Sequence, residues 1–179
     1  MTICCNASGT TSFEFSQKVT PLKIRRATLR DLETLIAHRR GMWFDMGHKN
    51  KAELDKADKV YRRWAKERLK SGELVGLIVE AEGQIAGSGC LWLQPVQPRP
   101  GRPGFKGGGQ PYLLSMYTEH TFRGKGVATK IVEESIRWAK AKGFPRMTLH
   151  ASDMGRSIYE KLGFKQTWEM KLELPARHK

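Results

Sequence analysis

The chain has 179 residues, long enough for one domain with its own core, and its 32 lysines and arginines outnumber 18 acidic residues for a net charge of +14, a surface drawn to anions. No apolar run approaches the roughly 20 residues that span a bilayer. Three cysteines, two of them adjacent at Cys4 and Cys5, make neither a disulfide framework nor a metal-ligand spacing, which fits a cytoplasmic protein with no membrane partner and no bound metal.

Residues 1–20 lack the basic start and apolar segment of a signal sequence and read as a flexible tail; residues 21–175 read as one domain and 176–179 as a short tail. In "LKIRRAT", Leu22 and Ile24 alternate with charged neighbours, the pattern of a strand. Helical spacing of Leu32, Leu35, Ile36, Trp43 and Met46 predicts a helix ending near Gly47. A second helix carries Leu54, Val60, Tyr61, Trp64, Ala65 and Leu69 and stops at Ser71 and Gly72. Together residues 22–72 hold fifteen basic and seven acidic side chains, a local excess of +8.

"ELVGLIVEAEGQIAGSGCLWL" reads as a hairpin turning at Glu82 and Gly83. Residues 94–111 carry five prolines and five glycines, which predicts a long loop. "YLLSMYT" is a further strand. Beyond it, the pairs Val127/Ala128, Ile131/Val132, Ser135/Ile136 and Trp138/Ala139, apolar but for Ser135, give the stripe of an amphipathic helix ended by Gly143 and Pro145. "RMTLHAS" is a strand and "DMGRSIYEKLG" a short helix. In "TWEMKLEL", Trp168, Met170, Leu172 and Leu174 alternate with polar residues, which predicts a last strand. The order is βααβββαβαβ, a mixed α/β sheet covered by helices.

Between the fourth strand and the third helix lies "RGKGVA", Arg123 to Ala128. A strand-to-helix turn of this kind presents free N–H groups and the positive end of a helix dipole together, and so suits a phosphate without a metal. Gly124 and Gly126 let backbone approach a pyrophosphate closely, with Arg123 and Lys125 at the rim. The turn is not a P-loop, which needs GxxxxGK[ST], and not a dinucleotide fingerprint, because Thr129 stands where that motif ends in Gly or Ala.

"RGKGVA" resembles the R/Q-x-x-G-x-G/A motif of the GNAT superfamily of acyl-coenzyme A-dependent N-acetyltransferases, and "HASDMGRSIYEKLGF" resembles its second landmark, with Tyr159, Leu162, Gly163 and Phe164 in place. Ser152 and Gly155 stand where that landmark often has Asn and Ala. The resemblance runs from residue 22 to about 174. It implies the GNAT-like acyl-CoA N-acyltransferase fold, with six to seven strands and four helices, and a small-molecule type of N-acetyltransferase domain over residues 21–175. Acetyl-CoA would be the co-substrate and a small-molecule amine the acceptor, with no nucleic acid as partner and a monomer or homodimer as the assembly.

Coenzyme contacts implied by the resemblance fall on Met116, Tyr117 and Thr118 for the thioester carbonyl and pantetheine arm, where the family's strand splays from its neighbour. Arg123, Gly124, Lys125, Gly126, Val127, Ala128 and Thr129 would hold the pyrophosphate, with Ser152 and Tyr159 completing the set. Tyr159 is the catalytic acid implied: a phenol of pKa near ~10 stays protonated at neutral pH and can give its proton to a departing thiolate of thiol pKa near ~8.5. Glu119 at the end of the cofactor strand is the candidate base, with Glu80 and Glu82 as alternatives. His120 reads as a solvated loop residue and Cys90 as a small buried one. His38, Arg39, Arg40, Trp43 and Phe44 fall on the helix that borders the family's acceptor pocket. The basic-aromatic interleaving in "VYRRWAKERLK" is also compatible with nucleic-acid binding, and a non-catalytic acyl-CoA sensor is a further alternative on the same fold.

Overall fold

The computed structural model describes residues 21–97 and 109–173. The two tails and most of the proline- and glycine-rich loop lie outside them. Strands β1 (Lys23–Arg26), β2 (Leu74–Ala81), β3 (Gln84–Pro95), β4 (Gly109–Thr118) and β5 (Thr148–Leu149) form one sheet in sequence order. The first four pair antiparallel and β4 pairs parallel with β5. The helices are α1 (Leu32–Asp45), α2 (Lys51–Ser71), α3 (Val127–Ala141) and α4 (Asp153–Lys161). A mixed sheet with four helices is the predicted class.

Both sheet faces are covered, so β2 is buried almost throughout instead of alternating. On one face Leu35 and Ile36 of α1 and Tyr61 and Ala65 of α2 pack on Leu74, Ile78 and Cys90. On the other, Val127 and Ile131 of α3 pack on Leu77 and Val79, and Val132 and Trp138 on Leu91 and Leu113. The β2–β3 hairpin turns at Glu82 and Gly83, both with positive φ (53° and 74°), the two-residue form whose twist matches its strands. The entry to α1 is fixed by Asp31. Its carboxylate accepts from Thr28 N at 2.7 Å and from Arg25 at 2.8 and 2.9 Å, closing a capping box.

Three expectations change. The last strand does not form among the described residues: 165–173 are irregular, with Trp168, Met170 and Leu172 fully or largely exposed. Period-two alternation makes a strand only where a neighbour covers one face and pairs the backbone, and β5 offers a ladder of two residues. β5 itself is shorter than "RMTLHAS", because β4 bends away after Leu113. Conversely β3 and β4 extend to Pro95 and from Gly109, which narrows the predicted loop to 96–108.

Candidate active site

β4 bends because it carries a bulge. Its register against β3 shifts between Ser88 and Cys90, which pair with Tyr117 and Leu114, so Ser115 and Met116 stand opposite Gly89 alone. Ser115 has φ of 53°, a left-handed conformation that costs a non-glycine residue roughly 1–2 kcal/mol. Gly89 makes the bulge possible. A Cβ there would meet Met116 Sδ at 2.5 Å and Ile131 Cγ2 at 2.7 Å. Beyond the pairs Tyr112–Thr148 and Leu113–Leu149, β5 no longer accompanies β4, so the edge carrying Met116, Tyr117 and Thr118 has no strand beside it among the described residues.

The chain leaves that edge through a short 3-10 turn, His120–Phe122, into Arg123–Gly126. Gly124 and Gly126 have φ of 76° and 83°, and nothing but Leu22 Cδ1, 3.9 Å from a Cβ on Gly126, approaches either position. Their need is therefore conformational and leaves open space outside the turn. Gly126 is the N-cap of α3 and supplies no side chain, so the first-turn N–H groups at Val127, Ala128 and Thr129 have no side-chain cap. Lys125 extends over the Phe122 ring. Arg123 is not a lone rim charge: it reaches Asp45 at the end of α1 at 2.5 Å and donates from Nε to Thr118 O at 3.1 Å, tying α1, β4 and the turn together.

Where β4 and β5 part, a groove of about 1080 Å³ wraps the short β5. Tyr159 and Ser152 line it from α4 and Tyr112 from β4. Tyr159 is more than half buried beside Phe164, and burial raises its phenol above the ordinary value, which keeps it protonated at neutral pH. In the same groove the hydroxyl of Tyr112 meets Nδ1 of His150, whose Nε2 lies 2.8 Å from Glu169. This chain was not legible beforehand, because its members are 38 and 19 residues apart in sequence.

Glu119 is held elsewhere. Its carboxylate lies 3.1 Å from Nε2 of His38 on α1, and Nδ1 of His38 lies 2.8 Å from Ser88 Oγ on β3. A carboxylate only accepts, so Nε2 carries the hydrogen and Nδ1 accepts from the Ser88 hydroxyl. Burial lowers the His38 pKa, opposed in part by Glu119, so the ring is neutral at pH 7. Glu119 does not line the groove with Tyr159.

The other candidates have structural tasks. Glu80 pairs with Arg25 at 2.7 Å, and Glu82 sits in the hairpin turn. His120 is exposed, 3.8 Å from Asp45. Burial pushes the Cys90 thiol up to about 12, far from a nucleophilic thiolate. Arg39 packs between Trp43 and Tyr61. The basic excess of residues 22–72 faces solvent: Lys51, Lys56, Lys59, Arg63 and Lys66 are exposed, while Arg25, Arg40, Arg62 and Arg68 are paired with carboxylates. Among the described residues no three His, Cys, Asp or Glu side chains group as a metal site, and no helix is long and apolar enough to cross a membrane.

A mixed sheet whose parallel strands part ahead of an uncapped, glycine-led helix is the arrangement that the resemblance to acyl-coenzyme A-dependent N-acetyltransferases implies. The chain belongs to the Acetyltransferase (GNAT) family, whose model matches residues 33–164. It is similar to a glucosamine 6-phosphate N-acetyltransferase of Trypanosoma brucei brucei, 28% identical over 93 residues, a match covering 51% of this chain and 59% of that one. Among solved structures it resembles a predicted acetyltransferase with acetyl-CoA from Clostridium acetobutylicum, with 30% identity and TM-score 0.74 over 87% of this chain and 96% of that one. A GCN5-related N-acetyltransferase from Ralstonia eutropha has the same fold, with 24% identity and TM-score 0.76 over 86% and 99%.

Proposed function

We propose that the protein moves an acetyl group from acetyl-CoA to a primary amine on a small molecule by direct attack of the amine on the thioester. The observation that carries this reading is the parting of β4 from β5 directly before an uncapped α3. It leaves a strand edge and a helix N-terminus available to one extended, anionic ligand. The pyrophosphate fits the N–H groups of Gly124 to Ala128, and the pantetheine arm fits the edge at Met116, Tyr117 and Thr118. The thioester then falls in the groove lined by Tyr159 and Ser152. The amine attacks the thioester carbon, a backbone N–H of the bulged strand holds the developing oxyanion, and Tyr159 gives its proton to the thiolate as the carbon–sulfur bond breaks.

A small acceptor is favoured by similarity to an enzyme named for an amino-sugar phosphate. The largely exposed charges of α1 and α2 do not wall this groove. The test is thiol release from acetyl-CoA across amino sugars, amino acids, polyamines and a basic peptide. Turnover of a small amine is expected. Tight acetyl-CoA binding with no turnover of any amine would identify a sensor instead, and preference for the peptide would overturn the acceptor class.

A further inference from the structure

Two tyrosines line one groove, in different surroundings. No side-chain hydrogen bond reaches the Tyr159 hydroxyl among the described residues, and burial alone raises its pKa. The Tyr112 hydroxyl meets the imidazole of His150, which is in turn held by Glu169 at 2.8 Å. The direction of this chain follows from its last member. An ionised carboxylate can only accept, so Nε2 of His150 carries the hydrogen, Nδ1 presents a lone pair, and the phenol must donate to it. The phenolic oxygen is left with its own lone pairs for a donor in the groove.

We propose that Tyr112, backed by His150 and Glu169, takes the proton from the acceptor's ammonium. This rests on the acetyltransferase reading. The ammonium gives one N–H proton to the Tyr112 oxygen as the phenol's own proton moves to Nδ1 of His150. The products are a neutral amine, an unchanged phenol and an imidazolium whose Nε2–H is paired with the Glu169 carboxylate. The amine nitrogen then forms its bond to the thioester carbon, the carbon–sulfur bond breaks, and Tyr159 protonates the sulfur. His150 and Glu169 are 64% and 68% exposed, so the imidazolium returns its proton to water directly. Other charged groups lining the groove are Lys140, Arg146, Asp153, Arg156, Glu160 and Lys165, whose mixed signs leave the Glu169 carboxylate as the anion in direct contact with His150. Glu119, the other candidate base, is engaged with His38 outside this groove.

The test compares two amines, glucosamine 6-phosphate, an ammonium at pH 7, and hydroxylamine, already neutral there. Tyr112→Phe and His150→Gln should each lower kcat for glucosamine 6-phosphate by ~10²-fold at pH 7, a loss that shrinks as pH rises and the amine deprotonates in solution. Hydroxylamine turnover should fall far less, and acetyl-CoA affinity should not change. In nitrogen-15 spectra of the free protein, Tyr112→Phe should move the Nδ1 resonance of His150 while Nε2 stays protonated, a readout that needs no acceptor. Equal losses for both amines at every pH, an unmoved Nδ1 resonance, or the pH-dependent loss appearing in Glu119→Gln instead would overturn the relay. A wild-type chain that acetylates neither these nor any other amine would overturn the transferase reading and the relay with it.

Discussion

Nε2 of His38 lies 3.1 Å from Glu119 and Nδ1 lies 2.8 Å from Ser88, so one buried imidazole joins α1, β3 and the outgoing end of β4. Because burial lowers its pKa, the unfolded chain binds the proton more readily than the folded one. Stability from this group is therefore present above the unfolded value of ~6.5 and is lost as pH falls through it toward the folded value. Urea midpoints should fall as pH drops from 7 through ~6.5 and below, and the decline should flatten in His38→Gln.

Asp31 has the same sign at lower pH. Arg25 and the Thr28 donors hold its carboxyl well below the usual carboxylate range, so its contribution is present above ~3.9 and lost below. Asp31→Asn removes the charge from a nearly buried site and should destabilise the protein by about 1.5–3 kcal/mol at pH 7, the range for hydrogen bonds to charged groups. Denaturant titrations of the two proteins read this directly.

The turn prediction separates backbone strain from ligand contact. Gly126→Ala and Gly143→Ala place a Cβ on left-handed backbone at φ of 83° and 75°, with ordinary contact at most around either. Each should cost roughly 1–2 kcal/mol of stability. Only Gly126→Ala should weaken acetyl-CoA binding, by tenfold or more in calorimetry, because Gly143 ends α3 at the far side from the turn.

Much of this was legible from residue 22 onward. The glycine-led turn, the α3 stripe and the Glu82–Gly83 hairpin are local features set by backbone conformation and helical period, and they appear where the sequence puts them. What was hidden depends on distance in the chain. Ser115 has no turn residue's signature, yet it adopts positive φ because Gly87 and Gly89 on the facing strand leave room: a Cβ on Gly87 would meet Tyr117 O at 2.6 Å. His38 and Glu119 meet across 81 residues of sequence, so a helix-face histidine and a strand-end carboxylate could not be paired beforehand. The alternation at Trp168, Met170 and Leu172 was real but had no partner ladder to become a strand among the described residues.

If Tyr159 is the acid proposed above, Tyr159→Phe should lower kcat by ~10²-fold with little change in acetyl-CoA affinity. The hydroxyl makes no side-chain hydrogen bond among the described residues, so its removal should leave thermal stability within about 1 kcal/mol. Full activity in the Phe variant would leave the thiolate to depart unaided.

The most direct measurement supplies acetyl-CoA labelled with carbon-13 in the acetyl group, together with small amines, and identifies products by mass spectrometry in the wild type and in Tyr159→Phe. The expected result is label on the nitrogen of a small amine, formed by the wild type and strongly reduced in Tyr159→Phe. Label retained wholly on coenzyme A with every amine would contradict the assignment of this groove as an acetyl-transfer site, and product formed equally by both proteins would remove Tyr159 from the chemistry.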